Sequence, residues 1–309
     1  MKKKNIIGCI FLGILAILVV FLATVFIVNK IKSGKEKELL ANNPGRFVEI
    51  NGHNMCIYEA GKGEHTIVFL SGSGTVSPIL DFKSLYSLLD EDYKIVVIEK
   101  FGYGFSDVVD EERSFETILR QDREVLSKSG IKAPYILCPH SMSGLEAIMW
   151  AQKYPEEVEG IVGLDMVVPE FYDGFDYKGV VRLEKIGALA REMGLIRLFY
   201  TDGSLPPALS SEDKKIYKAL AAKKAVNCDI AYETMAVSKA CKKINENAIP
   251  EVPVLMFLSK GAGNLGESPK EYAAKLSSCK VIELDCGHYV HNFEYERIST
   301  EMKSFIESL

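Results

Sequence analysis

The sequence has no basic surplus. Its 37 lysines and arginines stand against 42 aspartates and glutamates, a net charge of −5, which excludes the broad positive field that nucleic-acid binding requires. No glycine–lysine phosphate loop and no clustered metal-ligand spacing occurs, so no cofactor is expected. No internal repeat is evident, which sets aside solenoids and propellers. Seven cysteines are present, but their spacing fixes neither pairing nor compartment. A chain of 309 residues buries a core large enough to stand without disulfides, so free thiols are the default.

Charge is also missing locally. Residues 6–28 contain no Asp, Glu, Lys or Arg, and Thr24 and Cys9 are their most polar members. As a helix this run is about 35 Å long, enough to cross a bilayer core of about 30 Å. A cleaved signal peptide has a shorter apolar region ending in a small-x-small site, whereas this run ends in Phe26-Ile27-Val28. The reading is an uncleaved anchor. Lysines 2, 3 and 4 precede it and Lys30, Lys32, Lys35 and Lys37 follow, so the charge bias across it is nearly balanced. The Met-Lys-Lys-Lys start favours an N-terminus inside the cell and the rest of the chain on the extracytoplasmic side. Residues 29–45, polar and ending in Asn42-Asn43-Pro44-Gly45, read as a stalk.

Beyond the stalk, Asn51-Gly52 between two alternating runs predicts a β-hairpin. Short apolar strands follow at 66–70, 94–98, 136–139, 160–164, 252–258 and 280–284, with helices predicted at 78–89, 114–129 and 292–309. Strands alternating with helices imply a mostly parallel sheet covered on both faces. The alternation stops between Met166 and Pro250, a helical stretch rich in lysine with aromatics at Phe171, Tyr172, Phe175, Tyr177, Phe199 and Tyr200.

The run Ile136-Leu137-Cys138-Pro139-His140-Ser141-Met142-Ser143-Gly144 carries an apolar strand straight into a serine among small residues, and a helix begins at once. That context presents a nucleophilic serine on a sharp turn. The full G-x-S-x-G pattern is absent: Pro139 and Ser143 stand where its glycines would be. Proline suits a strand end and serine still permits a tight turn.

Five features in order resemble the α/β-hydrolase superfamily: the Asn-Gly hairpin, the strand into Ser71-Gly72-Ser73-Gly74, the loop Gly102-Tyr103-Gly104-Phe105-Ser106-Asp107, the serine turn, and the late Cys286-Gly287-His288. The resemblance covers about Phe47 to Leu309 and implies an α/β fold: a mostly parallel sheet flanked by helices, with an inserted helical cap, here preceded by one transmembrane helix. The implied divisions are residues 1–28 as N-terminus and anchor, 29–45 as stalk, 46–165 with 251–309 as the core, and 166–250 as the cap.

The resemblance also implies roles. Ser141 is the expected nucleophile, ahead of Ser143 and Ser71. His288 is the expected base, with His291 as a competitor and His140 read as structural, its side chain turned away. The acid departs from the family pattern. The loop Ser259-Lys260-Gly261-Ala262-Gly263-Asn264, where Asp is usual, contains none. Asp165, at the end of the 160–164 strand, is the preferred substitute, since catalytic groups gather at that edge of a parallel sheet. Glu267 and Asn264 are the alternatives. Backbone N–H groups of Met142 and Ser73 are the expected oxyanion donors, although the usual His-Gly of the earlier loop is Ser71-Gly72 here. The Gly102–Asp107 loop reads as structural.

The expected function is hydrolysis of a carboxylic ester, with an apolar or lipid-like acyl substrate suggested by the anchor and the cap aromatics. The partners implied are a small-molecule acyl substrate and, through the N-terminal helix, a membrane. An aminopeptidase-like peptidase would call on cap carboxylates among Glu170, Asp173, Asp176 and Glu233; an acyltransferase and a catalytically inactive binding module complete the alternatives. Relatives that open epoxides or displace halides use Asp as nucleophile, which Ser141 speaks against.

Overall fold

The computed structural model describes residues 2–309, with side chains described from Ile7 onward. Met1, and the side chains of the three lysines used in reading orientation, lie outside the described residues.

Eight strands form one sheet: β1 (Arg46–Ile50), β2 (His53–Ala60), β3 (Thr66–Leu70), β4 (Lys94–Glu99), β5 (Tyr135–Pro139), β6 (Val158–Leu164), β7 (Val254–Ser259) and β8 (Cys279–Leu284). Their order is β1-β2-β4-β3-β5-β6-β7-β8. β2 runs antiparallel to β1 and β4, and every other pairing is parallel. The β1–β2 turn has positive φ at both central residues, 53° at Asn51 and 80° at Gly52, which is what a two-residue turn matching strand twist demands. Strands β3, β5 and β7 are buried along their whole length. That explains why their sequences are continuous apolar runs without alternation.

Helices follow the strands: α1 (Lys2–Ala41), α2 (Pro78–Asp81), α3 (Lys83–Tyr86), α4 (Phe115–Lys128), α5 (Ser143–Lys153), α6 (Tyr177–Glu192), α7 (Ser211–Lys224), α8 (Cys228–Asn245), α9 (Ser268–Ala273), α10 (Val290–Phe293) and α11 (Tyr295–Ile306). One apolar cluster lies against α4, α5 and α8, and a second against α2, α3, α7 and α11, so the sheet is covered on both faces. Helices α6, α7 and α8 fall between β6 and β7, where strand–helix alternation stops in the sequence.

Two helical expectations need correction. The helix expected over 78–89 is two short pieces separated at Phe82, whose ring is driven under the sheet against Phe69 and His291. The C-terminal helix begins at Val290 and breaks at Glu294 (φ −113°, ψ 25°) before α11. The segment 29–45, read as a stalk, is helical for most of its length: α1 continues unbroken to Ala41. Its lysines, glutamates and leucines are good helix formers. Arg197 holds the helix by bonding Asn29 Oδ1 (2.7 Å), Ser33 Oγ (3.2 Å) and both carboxylate oxygens of Glu36 (2.7 Å). By length and composition, residues 7–41 include a stretch apolar enough to cross a membrane.

The helical insertion is fastened to the core by buried charge. Lys100, just past β4, reaches Glu233 of α8 at 2.5 Å and Glu146 of α5 at 3.5 Å, with all three side chains sealed from solvent. Tyr103 donates to the other oxygen of Glu233. Burial pushes the Lys100 ammonium down, but the Glu233 and Glu146 carboxylates more than offset it, and the net shift is upward. Asp122 beside them is driven well above the usual carboxylate range by burial and then by Glu146. Removing one partner from such a group strands the rest. Lys100→Met is therefore expected to cost about 3–5 kcal/mol, read as a fall in the urea midpoint of the detergent-solubilised protein by the fluorescence of Trp150.

Candidate active site

The turn between β5 and α5 places Ser141 in the left-handed region, at φ 54°. A β-carbon there clashes with its own backbone, and the conformation persists only where the surroundings hold it. They do so at three points. Ser143 Oγ lies 2.7 Å from Leu70 O and 2.9 Å from His140 O, and accepts the His140 N–H at 3.0 Å. This ties the turn to the end of β3, so the serine that replaces the expected glycine performs a binding task glycine could not. Gly144 lets the Val167 carbonyl approach; a β-carbon there would sit 2.2 Å from that oxygen. Gly72 lies so close over the nucleophile turn that a β-carbon would fall 2.7 Å from Ser141 Cβ.

The structure brings three of the expected residues into one line. His288 Nε2 is 2.8 Å from Ser141 Oγ, and His288 Nδ1 is 2.6 Å from Asp165 Oδ2. An ionised carboxylate only accepts, so Nδ1 carries the proton and Nε2 presents a lone pair to the serine hydroxyl. Asp165 is also at positive φ, 45°, and is buried. Its carboxylate accepts the Ser259 N–H (2.8 Å) and the Ser259 hydroxyl (2.6 Å). These bonds fix the carboxylate independently of the histidine.

Neither alternative acid reaches the imidazole. Asn264 is spent in its own turn, donating to Gly261 O and accepting from Gly266 N. Glu267 is exposed and lies 3.7 Å from Lys270. Instead the loop after β7 holds the histidine by its backbone: His288 N–H donates to Ala262 O (3.1 Å) and Gly261 N–H to Cys286 O (2.9 Å). Sequence reasoning missed Ser259, which ends the strand where the acid was sought. The signal was a hydroxyl at a strand terminus beside an Asp-ended neighbour.

The loop after β3 lies over the turn, as Gly72 shows. Among the described residues, the N–H groups of Ser73 and Met142 find no acceptor within the protein. Gly74 N–H points to the Tyr103 hydroxyl at 3.4 Å, which links this loop to the Gly102–Asp107 loop and, through Glu233, to α8.

His140 was expected to point away from the site. It is buried, but packs beneath the site: its ring lies 4.8 Å from those of His288 and Tyr289 and 4.7 Å from that of His291. Its Nε2 is 3.3 Å from the His288 carbonyl. His291, the competing base, faces the other way and bonds Asp81 at 2.9 Å. Donor atoms of Asp81, His140 and His291 lie within 4.8 Å of one another. His291 Nε2 is paired with Asp81, while Nδ1 of His140 and of His291 is buried without a partner among the described residues, so the group packs beneath His288 with hydrogen-bonding capacity unspent.

Burial, then His291 and His288, hold His140 well below its ordinary value of 6.5. The folded protein thus binds fewer protons here than the unfolded chain. The associated stability is complete above about pH 6.5 and is lost below it, by at most about 1.4 kcal/mol per pH unit for one proton. His140→Phe keeps the ring and cannot titrate. Its unfolding midpoint is expected to fall less steeply than that of the wild type between pH 6.5 and 5, measured by urea titration across that range.

No protein-family model matches the chain. The uncharacterized protein YbdG of Bacillus subtilis (strain 168) is 34% identical over 309 aligned residues, 95% of each chain. The uncharacterized protein YqjL of the same organism is 28% identical over 108 residues, 35% of this chain and 42% of its own. Among solved structures, a haloalkane dehalogenase loop variant from Bradyrhizobium elkanii superposes with a TM-score of 0.67 at 19% identity, over 85% of this chain and 96% of the other. A serine hydrolase involved in carbazole degradation superposes at 0.62 with 15% identity, over 86% and 99%. With one antiparallel and seven further strands in hydrolase order and these superpositions, the protein has the α/β-hydrolase fold, and the chain belongs to the family of YbdG.

Proposed function

We propose that this protein is a serine hydrolase, held at a membrane by α1, that cleaves a carboxylic ester through an acyl-enzyme on Ser141. The observation that carries this reading is the unbroken hydrogen-bonded line from Ser141 Oγ through His288 to Asp165. In the proposed division, residues 1–28 anchor, 29–45 connect, 46–165 and 251–309 form the hydrolase core, and 166–250 form the cap. The lysine-led N-terminus lies inside the cell and the core outside.

The chemistry follows from the geometry. Ser141 Oγ attacks the ester carbonyl carbon while His288 Nε2 takes its proton. Asp165 keeps the Nδ1 proton in place and stabilises the imidazolium that forms. The carbonyl oxygen becomes an oxyanion, and the free N–H groups of Met142 and Ser73 receive it at the N-terminal end of α5, where the helix field favours negative charge. Collapse expels the alcohol with the proton from His288. Water then attacks the acyl carbon, His288 acting again as base, and the acid leaves Ser141.

A hollow of about 350 Å³ is reached by Gly74 and Tyr289, the sequence neighbours of Ser73 and His288, and is walled by Tyr200, Leu205, Tyr217 and Phe293 together with the polar Asp81, Ser204 and Asn292. Its aromatic and aliphatic walls suit an apolar acyl group. The larger hollow of about 640 Å³, around Arg120, Arg123 and Glu157, is lined by α4 and the entry to β5, at the opposite end of that strand from Ser141. The peptidase reading loses its footing, because its carboxylates have other uses. Glu233 is buried in its pairs with Lys100 and Tyr103, Glu170 pairs with Lys275, Asp176 caps α6, and Asp173 is exposed. Haloalkane dehalogenases share the fold, but Ser141 stands at the turn where an Asp nucleophile is expected.

The test is labelling of the full-length, detergent-solubilised protein with a fluorophosphonate probe. Labelling is expected in the wild type and absent in Ser141→Ala. Asp165→Asn is expected to slow it by about 10³–10⁴-fold, whereas Asn264→Ala and Glu267→Gln should leave the rate within about twofold, since neither touches the imidazole. A folded wild-type protein that never labels would falsify the hydrolase reading.

A further inference from the structure

We propose that the helical insertion itself rests on the lipid surface, with Leu189, Leu198 and Phe199 set among acyl chains. The inference rests on reading α1 as an uncleaved membrane anchor, and it concerns where the substrate enters.

The insertion clasps α1 where the apolar run ends. Arg197 bonds Asn29, Ser33 and Glu36, and a β-carbon on Gly194 would fall 2.5 Å from Asn29 Cβ. Asn29 is buried, whereas residues 7–21 are exposed throughout. The apolar run, about 35 Å long, exceeds a bilayer core of about 30 Å by only about 5 Å. Asn29 directly follows that run, so the clasp lies within about 5 Å of the core boundary, at the level of the headgroups.

The surface of the insertion is suited to that depth. Leu198 is 58% exposed and Phe199 70%, directly after the residue that clasps α1. Leu189, in the last turns of α6, is 65% exposed, and Ile186 and Leu183 continue the stripe toward the start of that helix. A water-facing surface gains nothing from five such side chains. Around them stand exposed cations, Lys30, Lys32 and Lys35 on α1 and Arg182 and Lys185 on α6. Three neighbouring acids are engaged, Glu36 with Arg197, Glu192 with Arg191 and Glu184 with Thr234, and Glu38 on α1 is exposed. An apolar patch rimmed by free cations matches an acyl layer beneath anionic headgroups. Tyr200, the next residue after Phe199, lines the hollow proposed to take the acyl group, so an acyl chain leaving the bilayer at Phe199 is one residue away from that hollow.

The test uses the full-length protein in vesicles of phosphatidylcholine and phosphatidylglycerol, with and without brominated acyl chains. Trp150, the single tryptophan, is buried against Tyr135 in the core and supplies a constant background. Phe199→Trp and Leu189→Trp are compared with Leu309→Trp, which sits by Gly160 at the opposite edge of the sheet. In the first two variants the added emission is expected to lose about half its intensity to bromine, as for side chains 5–10 Å into the interface, while Leu309→Trp is unaffected. Protein that stays in the vesicles after alkaline extraction while both cap variants behave like Leu309→Trp would overturn this inference and leave the anchor intact. Blue-shifted emission without bromine quenching would mean that a second copy covers the patch, which also overturns it. Release of the full-length protein by alkaline extraction overturns the anchor reading, and the inference with it.

Discussion

Everything at the site depends on one strained residue. Ser141 holds a left-handed backbone conformation that a side-chain-bearing residue resists by about 1–2 kcal/mol, and the strain aims its hydroxyl out of the sheet rather than along it. Three neighbours make the turn possible, Ser143 and Gly144 at the start of α5 and Gly72 from the loop after β3. Ser143 stitches it to β3, Gly72 brings the following loop down over it, and Gly144 admits the Val167 carbonyl. The β3 loop, the α5 N-terminus and the segment after β6 are thereby set relative to one atom. Those are also the three segments that supply the proposed oxyanion donors and the acid.

The position of the acid is a matter of strand adjacency. β6 and β7 are parallel neighbours, paired from Ile161 with Val254 to Leu164 with Phe257, so their C-terminal ends open side by side at one edge. A carboxylate on either end can reach an imidazole delivered from beyond β8. Here the carboxylate is on β6 and the hydroxyl of Ser259 on β7, and the hydroxyl donates to the carboxylate. The loop freed from supplying an acid instead holds the backbone of His288. Beneath it, His140 and the hydrogen-bonded Asp81–His291 pair fill the space under the ring.

The helical insertion is tied at two ends by different means. Toward the core, buried Lys100 and Glu233 join β4 to α8, with Tyr103 passing the connection to the loop over Ser141. Toward the N-terminus, Arg197 grips α1 by three side chains. The loop over Ser141, the insertion and α1 are therefore joined by a chain of side-chain contacts, Tyr103 linking α8 to the loop and Arg197 linking α1 to the turn that leads into Tyr200.

The sequence by itself determined the alternating sheet, the hairpin, the apolar N-terminal run and the serine turn. Each of these is written in short-range terms: period, apolar run, Asn-Gly, or a strand flowing into a helix. It also put Asp165 ahead of Glu267 and Asn264 as the expected acid, from its place at a strand end, and there local information ended. That Asp165 meets the His288 imidazole depends on which strand ends lie side by side, and that is a property of sheet order rather than of spacing. The same limit hid Ser259, the packing of His140 beneath His288, the break at Phe82, and the grip of Arg197 on a segment that reads as a polar stalk. In each case the deciding partner lies tens to hundreds of residues away along the chain, from 13 between Phe82 and Phe69 to 168 between Arg197 and Asn29. Such contacts depend on which surfaces the fold presses together, and only the tertiary structure decides that.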